Sequence, residues 1–94
     1  MLLMASRGSY PMYHVYMLEL QDGSYYVGHT NDLRRRVQEH QNAIACFHTK
    51  KIPMKRLLWT EEHPDRSSAS IREKEVKGWR REKKERLFQI SSLP

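Results

Sequence analysis

The sequence predicts a small protein of the α+β class, with three strands and three helices. Two aromatic-rich runs, residues 13–20 and 24–29, are separated by the turn signal Gln21-Asp22-Gly23, which predicts a β-hairpin. Apolar residues recur at helical spacing from Asn31 onward, which predicts a helix directly after the hairpin. The apolar run Arg56–Thr60 then predicts a third strand, and two helical segments follow it.

Length and composition indicate one folded domain. A chain of 94 residues has no room for two separate cores, and 38% apolar with 10% aromatic residues argues against disorder. We expect residues 1–11 to form a flexible N-terminal arm and residues 12–90 to form the domain. The single Cys46 cannot form an intrachain disulfide, which favours a reduced, cytoplasmic setting. No apolar run approaches the roughly 18 residues of a membrane span, so no membrane partner is expected.

The charge balance favours a polyanionic partner. The chain has 17 Lys and Arg residues and a formal net charge of +6. Nucleic acid is a better match for this excess than a membrane surface. A basic protein without such a partner is the alternative that charge alone leaves open.

Loop length decides which hairpin side chains share a face. The first strand has apolar residues at both odd- and even-numbered positions, which point to opposite faces of the sheet. Both of its faces should therefore be covered. A two-residue loop would pair Leu18 with Val27 and place Tyr16 and Tyr26 on opposite faces. A three-residue loop, with Gly23 in a left-handed conformation, would pair Leu18 with Tyr26 and place both tyrosines on one face. We predict the second register.

The segment from Asn31 to about Ala43 predicts a basic amphipathic helix, with Thr30 or Asn31 as its N-cap. At about 100° per residue, Arg36 falls at the border of the inward stripe, whereas Arg34 and Arg35 point away. The inward stripe itself comprises Leu33, Val37, His40 and Ile44.

The second half of the chain predicts a loop, a strand and two helices. Residues 45–53 are expected to form a basic loop and residues 61–65 a turn after the third strand. A helix should run from about Ser67 to Gly78 or Trp79, with Ala69, Val76 and Trp79 inward and Glu73 at the border of that stripe. Residues 81–89 predict a last helix that packs Leu87 and Phe88.

Val15-Tyr16, Tyr26-Val27-Gly28 and the later Arg36 together resemble the GIY-YIG nuclease family in order and spacing. Further segments resemble the small stand-alone GIY-YIG proteins of bacteria, and the resemblance covers roughly residues 12–88. These segments are Asp22-Gly23-Ser24, Thr30-Asn31-Asp32-Leu33 and the run from Arg72 to Trp79.

The resemblance implies a three-stranded antiparallel β-sheet flanked by helices. It also implies a divalent-metal-dependent endonuclease that hydrolyses DNA phosphodiester bonds, with branched or damaged DNA among the candidate substrates. His14 stands in place of the family's glycine and Val27 in place of isoleucine. The loop around Ala45-Cys46-Phe47 lacks the small polar composition expected of close relatives. By the resemblance, Tyr16, Tyr26, Arg36, His40 and Glu73 are the catalytic residues, Gly28 is the motif glycine and Glu73 binds the metal.

The chemistry of phosphodiester hydrolysis fits these residue types. A tyrosine with a partner for its proton can activate water, and either Tyr16 or Tyr26 could be that base. The planar guanidinium of Arg36 can pair with the scissile phosphate. A carboxylate such as Glu73 suits one Mg²⁺ or Mn²⁺ ion.

Each candidate residue also has a structural interpretation. Strand tyrosines usually pack, and Arg36 could cover the edge of the apolar stripe with its stem. Glu73 fits a capping box with Ser70, or an ion pair with Arg72 or Lys77. The histidines at 14, 29, 40, 48 and 63 lack zinc-ligand spacing, although His29 and His40 could act as auxiliary acids.

DNA is therefore the expected partner, and a protein partner is possible. One alternative function is a nucleic-acid-binding module that does not cut and stacks bases on Tyr13 and Tyr25. Another is a subunit that needs a partner to be active. The expected phosphate contacts are Arg34, Arg35, Lys50, Lys51, Lys55 and Arg56, with the cluster from Arg80 to Arg86 as a further candidate that could equally be a solvated helix.

Overall fold

The computed structural model describes residues 12–42 and 52–89 and has the predicted α+β architecture. The predicted arm at residues 1–11, Ile44 and most of the predicted loop at residues 45–53 lie outside these ranges. None of the helices within them is long and apolar enough to cross a membrane. The elements are β1 (Tyr13–Leu20), β2 (Tyr25–Thr30), α1 (Leu33–Gln41), β3 (Met54–His63), α2 (Arg66–Lys77) and α3 (Arg81–Gln89).

The sheet is antiparallel with strand order β2-β1-β3, so β1 is central and β2 is an edge strand. Tyr16 pairs with Gly28 and Leu18 with Tyr26, which confirms the register predicted for a three-residue loop. Gly23 has a φ of 87°, and its amide donates to the carbonyl of Leu20 at 2.9 Å. A left-handed glycine thus sets the loop length, and the loop length places both tyrosines on one face.

Helices cover the sheet on both faces, as predicted for a central strand that is apolar at both parities. One face, here called the tyrosine face, carries Tyr16, Leu18, Leu20 and Tyr26 and packs against Leu33 of α1. The opposite face, here called the α2 face, carries Val15, Met17 and Val27 and packs against Ala69 and Val76 of α2.

The third strand is longer than the predicted run Arg56–Thr60. Glu61, Glu62 and His63 were expected in a turn, but they continue β3 opposite the first residues of β1. The prediction was wrong because two adjacent glutamates disfavour a strand locally, whereas tertiary contacts offset that preference. Arg72 of α2 donates to Glu61 at 2.9 Å and neutralises one of the two carboxylates.

The N-cap of α1 differs from prediction, whereas α2 begins at Arg66, close to the predicted Ser67. Helix α1 is capped by Asp32, which accepts from the amide of Arg35 at 3.1 Å, because Thr30 still belongs to β2. Helix α2 is capped by Asp65, which accepts from the amide of Ser68 at 2.8 Å. Ser70 lies inside α2, so the capping-box interpretation of Glu73 was wrong.

The last helix, α3, packs against the α2 face through contacts with Tyr25. The Arg81 guanidinium lies 4.1 Å from the centre of the Tyr25 ring, and the Tyr25 hydroxyl donates to Glu85 at 2.7 Å. The ring of Phe88 meets the Tyr25 ring edge-on, with the ring centres 5.8 Å apart. The predicted packing of α3 through Leu87 and Phe88 is therefore confirmed.

The hairpin should be sensitive to a side chain at Gly23. We expect Gly23→Ala to lower the free energy of unfolding by about 1 kcal/mol, because alanine is strained at positive φ. Gly78→Ala is the matched control, since Gly78 has a φ of −80° and an added Cβ would meet no atom closer than 3.6 Å. Urea denaturation of both variants measures the difference, and equal stabilities would contradict the proposed role of Gly23.

Candidate active site

Gly28 makes room for the two motif tyrosines. A Cβ atom at this position would lie 2.6 Å from the Tyr16 hydroxyl and 3.3 Å from the Tyr26 ring. The two tyrosine rings lie side by side with centres 6.3 Å apart. The hydroxyl of Tyr16 thus lies over the backbone of an edge strand, in space that any other residue would fill.

His40 completes an aromatic cluster with these tyrosines. Its Nε2 atom is hydrogen-bonded to the Tyr16 hydroxyl at 2.9 Å, and its ring centre lies 5.2 Å from that of Tyr26. Tyr16 is 2% exposed and His40 1% exposed, whereas Tyr26 is only half-buried. Helix α1 therefore delivers His40 to the tyrosine face, as its inward position in the helical stripe predicted.

The environment of His40 keeps its imidazole neutral. Burial, with the positive charge of Arg36 as the second cause, lowers the pKa of His40 from 6.5 to about 4, although Glu39 acts in the opposite direction. A neutral imidazole retains an acceptor nitrogen, whereas an imidazolium has none. At neutral pH His40 Nε2 can therefore accept a hydrogen bond from the Tyr16 hydroxyl, but its lowered pKa makes it a weak base for that proton.

Arg36 is the only one of the three arginines of α1 that is partly buried. Its side chain is 32% exposed against 56% for Arg35, and Arg34 is also exposed. Its charge influences His40, and its Nε atom lies 3.5 Å from Glu39. The predicted border position of Arg36 is confirmed.

Glu73 lies on the other side of the sheet from the tyrosines, on the face that α2 covers. His29, which has the opposite strand parity to Tyr26 and Gly28, donates from Nδ1 to Glu73 Oε1. Lys77 lies 2.7 Å from Glu73 Oε2. Burial alone raises the pKa of Glu73, but the bonds from His29 and Lys77 outweigh it, and the net pKa is lowered.

The site has two halves, the tyrosine cluster on one face of the sheet and the His29–Glu73 pair on the other. Both border the edge strand β2. Tyr26 and His29 belong to this edge strand, on opposite faces, and Gly28 between them has no side chain. Across residues 12–42 and 52–89, no group of three or more His, Cys, Asp or Glu side chains is placed to hold a metal ion. A metal at Glu73 would therefore need water or substrate oxygens among its ligands.

The predicted phosphate contacts lie mostly on exposed surfaces. Arg34 and Arg35 of α1 and Lys55 of β3 are exposed. Arg56 is exposed as well, but its Nε atom donates to Glu19 at 2.7 Å, which partly neutralises it. Lys50 and Lys51 lie outside the described residues.

Known proteins share both the sequence and the fold of this chain. A sequence model of the GIY-YIG catalytic domain matches residues 12–86. The chain belongs to the GIY-YIG family. This is a family of nucleases, so the recognition made from the two tyrosine motifs is confirmed.

Named relatives of this GIY-YIG protein are UPF0213 proteins. One from Halobacterium salinarum is 40% identical over 77 residues, which cover 82% of this chain and 100% of that protein. One from Staphylococcus aureus is 35% identical over 74 residues, covering 79% and 90% respectively. The solution NMR structure of the UPF0213 protein from Bacillus halodurans is 37% identical, with a TM-score of 0.55 and 88% of each chain covered. These names state no activity.

The contact between His29 and Glu73 was not foreseen from the sequence. His29 follows Gly28 directly, so its strand parity already placed it on the face opposite Tyr26. Glu73 borders the inward stripe of α2, which packs on that same face. Strand parity combined with the helical stripe could have paired them, but nothing in the sequence indicates which face of the sheet α2 covers.

Protonation of His40 should destabilise the fold in a defined pH range. Because its folded pKa is lowered from 6.5 to about 4, its contribution is fully present above pH 6.5 and is lost as pH falls toward 4. We expect stability to fall by up to about 1.4 kcal/mol per pH unit in this range. Chemical denaturation at pH 7.5, 6.5, 5.5 and 4.5 measures the slope.

His40→Gln should flatten that slope, and His63→Gln should retain it as the matched histidine control. The pKa of Glu73 is lowered from its ordinary value of 4.5, so the stability it contributes is lost as pH falls below that value. A wild-type slope that survives in His40→Gln would contradict the assignment.

A side chain at Gly28 should displace Tyr16. We expect Gly28→Ala to cost about 1–3 kcal/mol of stability, as for an overpacked core, and to disturb the tyrosine signals in near-ultraviolet circular dichroism. Gly78→Ala again serves as the control. If Gly28→Ala is as stable as Gly78→Ala, the close approach of Tyr16 is not a constraint.

Proposed function

We propose that this protein is a divalent-metal-dependent endonuclease that hydrolyses DNA phosphodiester bonds. The observation that carries the proposal is the buried hydrogen bond between Tyr16 and His40, with Tyr26 and Arg36 beside it. Burial of the Tyr16 hydroxyl requires a hydrogen-bond partner, and the bond to His40 also fixes the orientation of that oxygen beside Tyr26. Membership of a nuclease family agrees with this arrangement.

Tyr16 is the better candidate for the base of the two tyrosines. A free phenol, with a pKa near 10, is a poor base at neutral pH. In the proposed step, the Tyr16 phenolate takes a proton from the attacking water and becomes the neutral phenol, whose hydroxyl His40 Nε2 then holds by a hydrogen bond. Tyr16 and His40 are 2% and 1% exposed, so the proposed step requires the edge of β2 to move and admit a water to the Tyr16 oxygen. His40 touches no substrate and acts through Tyr16 as a positioning residue.

Arg36 supplies the positive charge for the phosphate. Its guanidinium can donate two parallel hydrogen bonds to phosphate oxygens, which a lysine ammonium cannot reproduce. The negative charge that develops on these oxygens during attack is stabilised by a donor already in place. Arg36 fits this role because it is half-exposed and lies near His40, so it can reach both solvent and the site.

Glu73 is the proposed ligand of one Mg²⁺ or Mn²⁺ ion. Its lowered pKa keeps the carboxylate ionised at neutral pH, as a metal ligand must be. Lys77 already pairs with Oε2, so an ion would bind at Oε1. When bound there, the metal would stabilise charge on the phosphate and the leaving oxygen.

We expect the DNA strand that is cut to pass around the edge of the sheet formed by β2. A phosphate at this edge would have Tyr16, Tyr26 and Arg36 on one side and Glu73 on the other. Arg34, Arg35 and Lys55, which are exposed, are proposed to contact neighbouring phosphates. Branched or damaged DNA offers flexible backbone that can bend around such an edge, and these substrates are therefore preferred candidates.

The structure weakens the alternative of a base-stacking module that does not cut. Tyr25 was expected to stack bases, but its ring is already covered by Arg81 and contacted by Phe88, and its hydroxyl is bonded to Glu85. Tyr13 packs against the core of the α2 face. A requirement for a partner protein stays a prediction from the sequence.

Cleavage assays with linear, nicked and branched DNA test the proposal. With Mg²⁺ or Mn²⁺ present, we expect Arg36→Ala and Tyr16→Phe to reduce the cleavage rate by about 10²–10³-fold, as for other lost charge-stabilising or proton-transfer groups. Glu73→Gln should reduce it comparably. Tyr26→Phe should have a smaller effect than Tyr16→Phe if Tyr16 is the base.

Arg34→Ala is the matched control for Arg36→Ala because both residues lie on α1. It should cleave at nearly the wild-type rate while its DNA affinity depends less steeply on salt, by about one unit of slope. DNA binding without any metal-dependent cutting would instead support the non-catalytic module. Equal cutting by the wild type and Arg36→Ala would overturn the proposed phosphate contact.

A further inference from the structure

His29 and Glu73 form a donor pair on the α2 face of the edge strand. The Nδ1 atom of His29 and Oε1 of Glu73 are in hydrogen-bond contact, although 44 positions separate the residues in the chain. Both side chains are half-buried and retain some exposure to solvent. An imidazole nitrogen and a carboxylate oxygen are therefore held side by side where water can also reach.

The two oxygens of Glu73 have different neighbours. Oε1 faces His29, whereas Oε2 is held by Lys77 at 2.7 Å. An ion that binds between His29 and Oε1 would leave the Lys77 contact in place. That contact would also hold the carboxylate as a single-oxygen ligand.

We propose that His29 is a second protein ligand of the metal assigned to Glu73, bound through Nδ1. Adjacent ligands of an octahedral ion, each about 2.1 Å from it, lie about 3 Å apart, so the two donors would have to move apart from their present direct contact to admit the ion. The imidazole would bind as the neutral tautomer with its proton on Nε2, so the ion would replace the hydrogen bond that Nδ1 donates to Glu73 in the free protein. The inference rests on the proposed metal role of Glu73 and specifies which ion that site prefers.

One nitrogen donor changes the preferred metal. Mg²⁺ takes oxygen ligands almost exclusively, whereas imidazole binds first-row transition ions more readily. The site should therefore select Mn²⁺ or a similar divalent transition ion over Mg²⁺. Water and phosphate oxygens complete the coordination shell, because the protein supplies one nitrogen and one oxygen.

A second histidine–glutamate pair provides an internal comparison. His63 Nε2 lies 2.8 Å from Glu61 Oε1, a contact similar to that of His29. Arg72, however, contacts both carboxylate oxygens of Glu61, at 2.9 and 3.4 Å. An arginine fork already occupies that carboxylate, so this pair should bind no metal.

Electron paramagnetic resonance with Mn²⁺ tests the assignment without any measure of cleavage. Loss of the free-ion signal gives the affinity of the full-length protein for Mn²⁺, and displacement by Mg²⁺ gives the affinity for Mg²⁺. Pulsed spectra report whether an imidazole nitrogen is coupled to the bound ion. Selective ¹⁵N labelling of histidine in the wild type changes that coupling without altering the fold.

The wild type should show imidazole coupling and bind Mn²⁺ more tightly than Mg²⁺. His29→Gln should lose the coupling and weaken Mn²⁺ binding by about tenfold or more, with a smaller effect on Mg²⁺. His63→Gln should behave as the wild type, and Glu73→Gln should lose both metals.

Absence of imidazole coupling in wild-type protein that has bound Mn²⁺ would overturn the ligand role. So would coupling and affinity that persist in His29→Gln. In both cases loss of binding in Glu73→Gln would leave the metal role of Glu73 intact, so only this inference would fail. If Glu73→Gln binds Mn²⁺ as the wild type does, the proposed metal role of Glu73 fails as well.

Discussion

The Tyr16 hydroxyl lies over Gly28, in space that a side chain on the edge strand would otherwise fill, and the rest of the site depends on that contact. It requires Tyr16 to pair with Gly28, which in turn requires the three-residue loop and its left-handed Gly23. The hydroxyl then points to His40, which α1 brings to the same face. A one-residue slip in the hairpin would turn Tyr26 to the other face and separate the two tyrosines.

The arrangement of residues on the tyrosine face could be predicted from the sequence, because short-range features of the chain determine it. Loop length and glycine conformation gave the register, and helical spacing distinguished Arg36 from Arg34 and put His40 inward. What these rules could not give is the protonation state of His40. Its lowered pKa depends first on burial and then on Arg36, and burial is a property of the packed protein.

The arrangement of residues on the α2 face depends on contacts between elements that are distant in the chain. Such contacts leave little trace in the local sequence pattern. Glu73 looked equally suited to a capping box, an ion pair or a site shared with the tyrosines, because each interpretation uses the same residues. The cap at Asp65 excludes the first, and the α2 face excludes a shared surface. The extension of β3 through Glu61 was missed for the same reason, since Arg72, from a different element, neutralises it.

A site divided between two faces of a sheet has a consequence for catalysis. In the proposed mechanism Tyr16 and Arg36 would act from one face and the His29–Glu73 pair from the other, with Gly28 between them on the edge strand. A phosphate that contacts both halves must lie at this edge, where the strand has no further neighbour in the sheet. The cation and the phosphate would then bind cooperatively, because each supplies ligands or charge that the other needs. Substrate binding would complete the proposed metal site, so a free protein with few metal ligands is what such a mechanism requires.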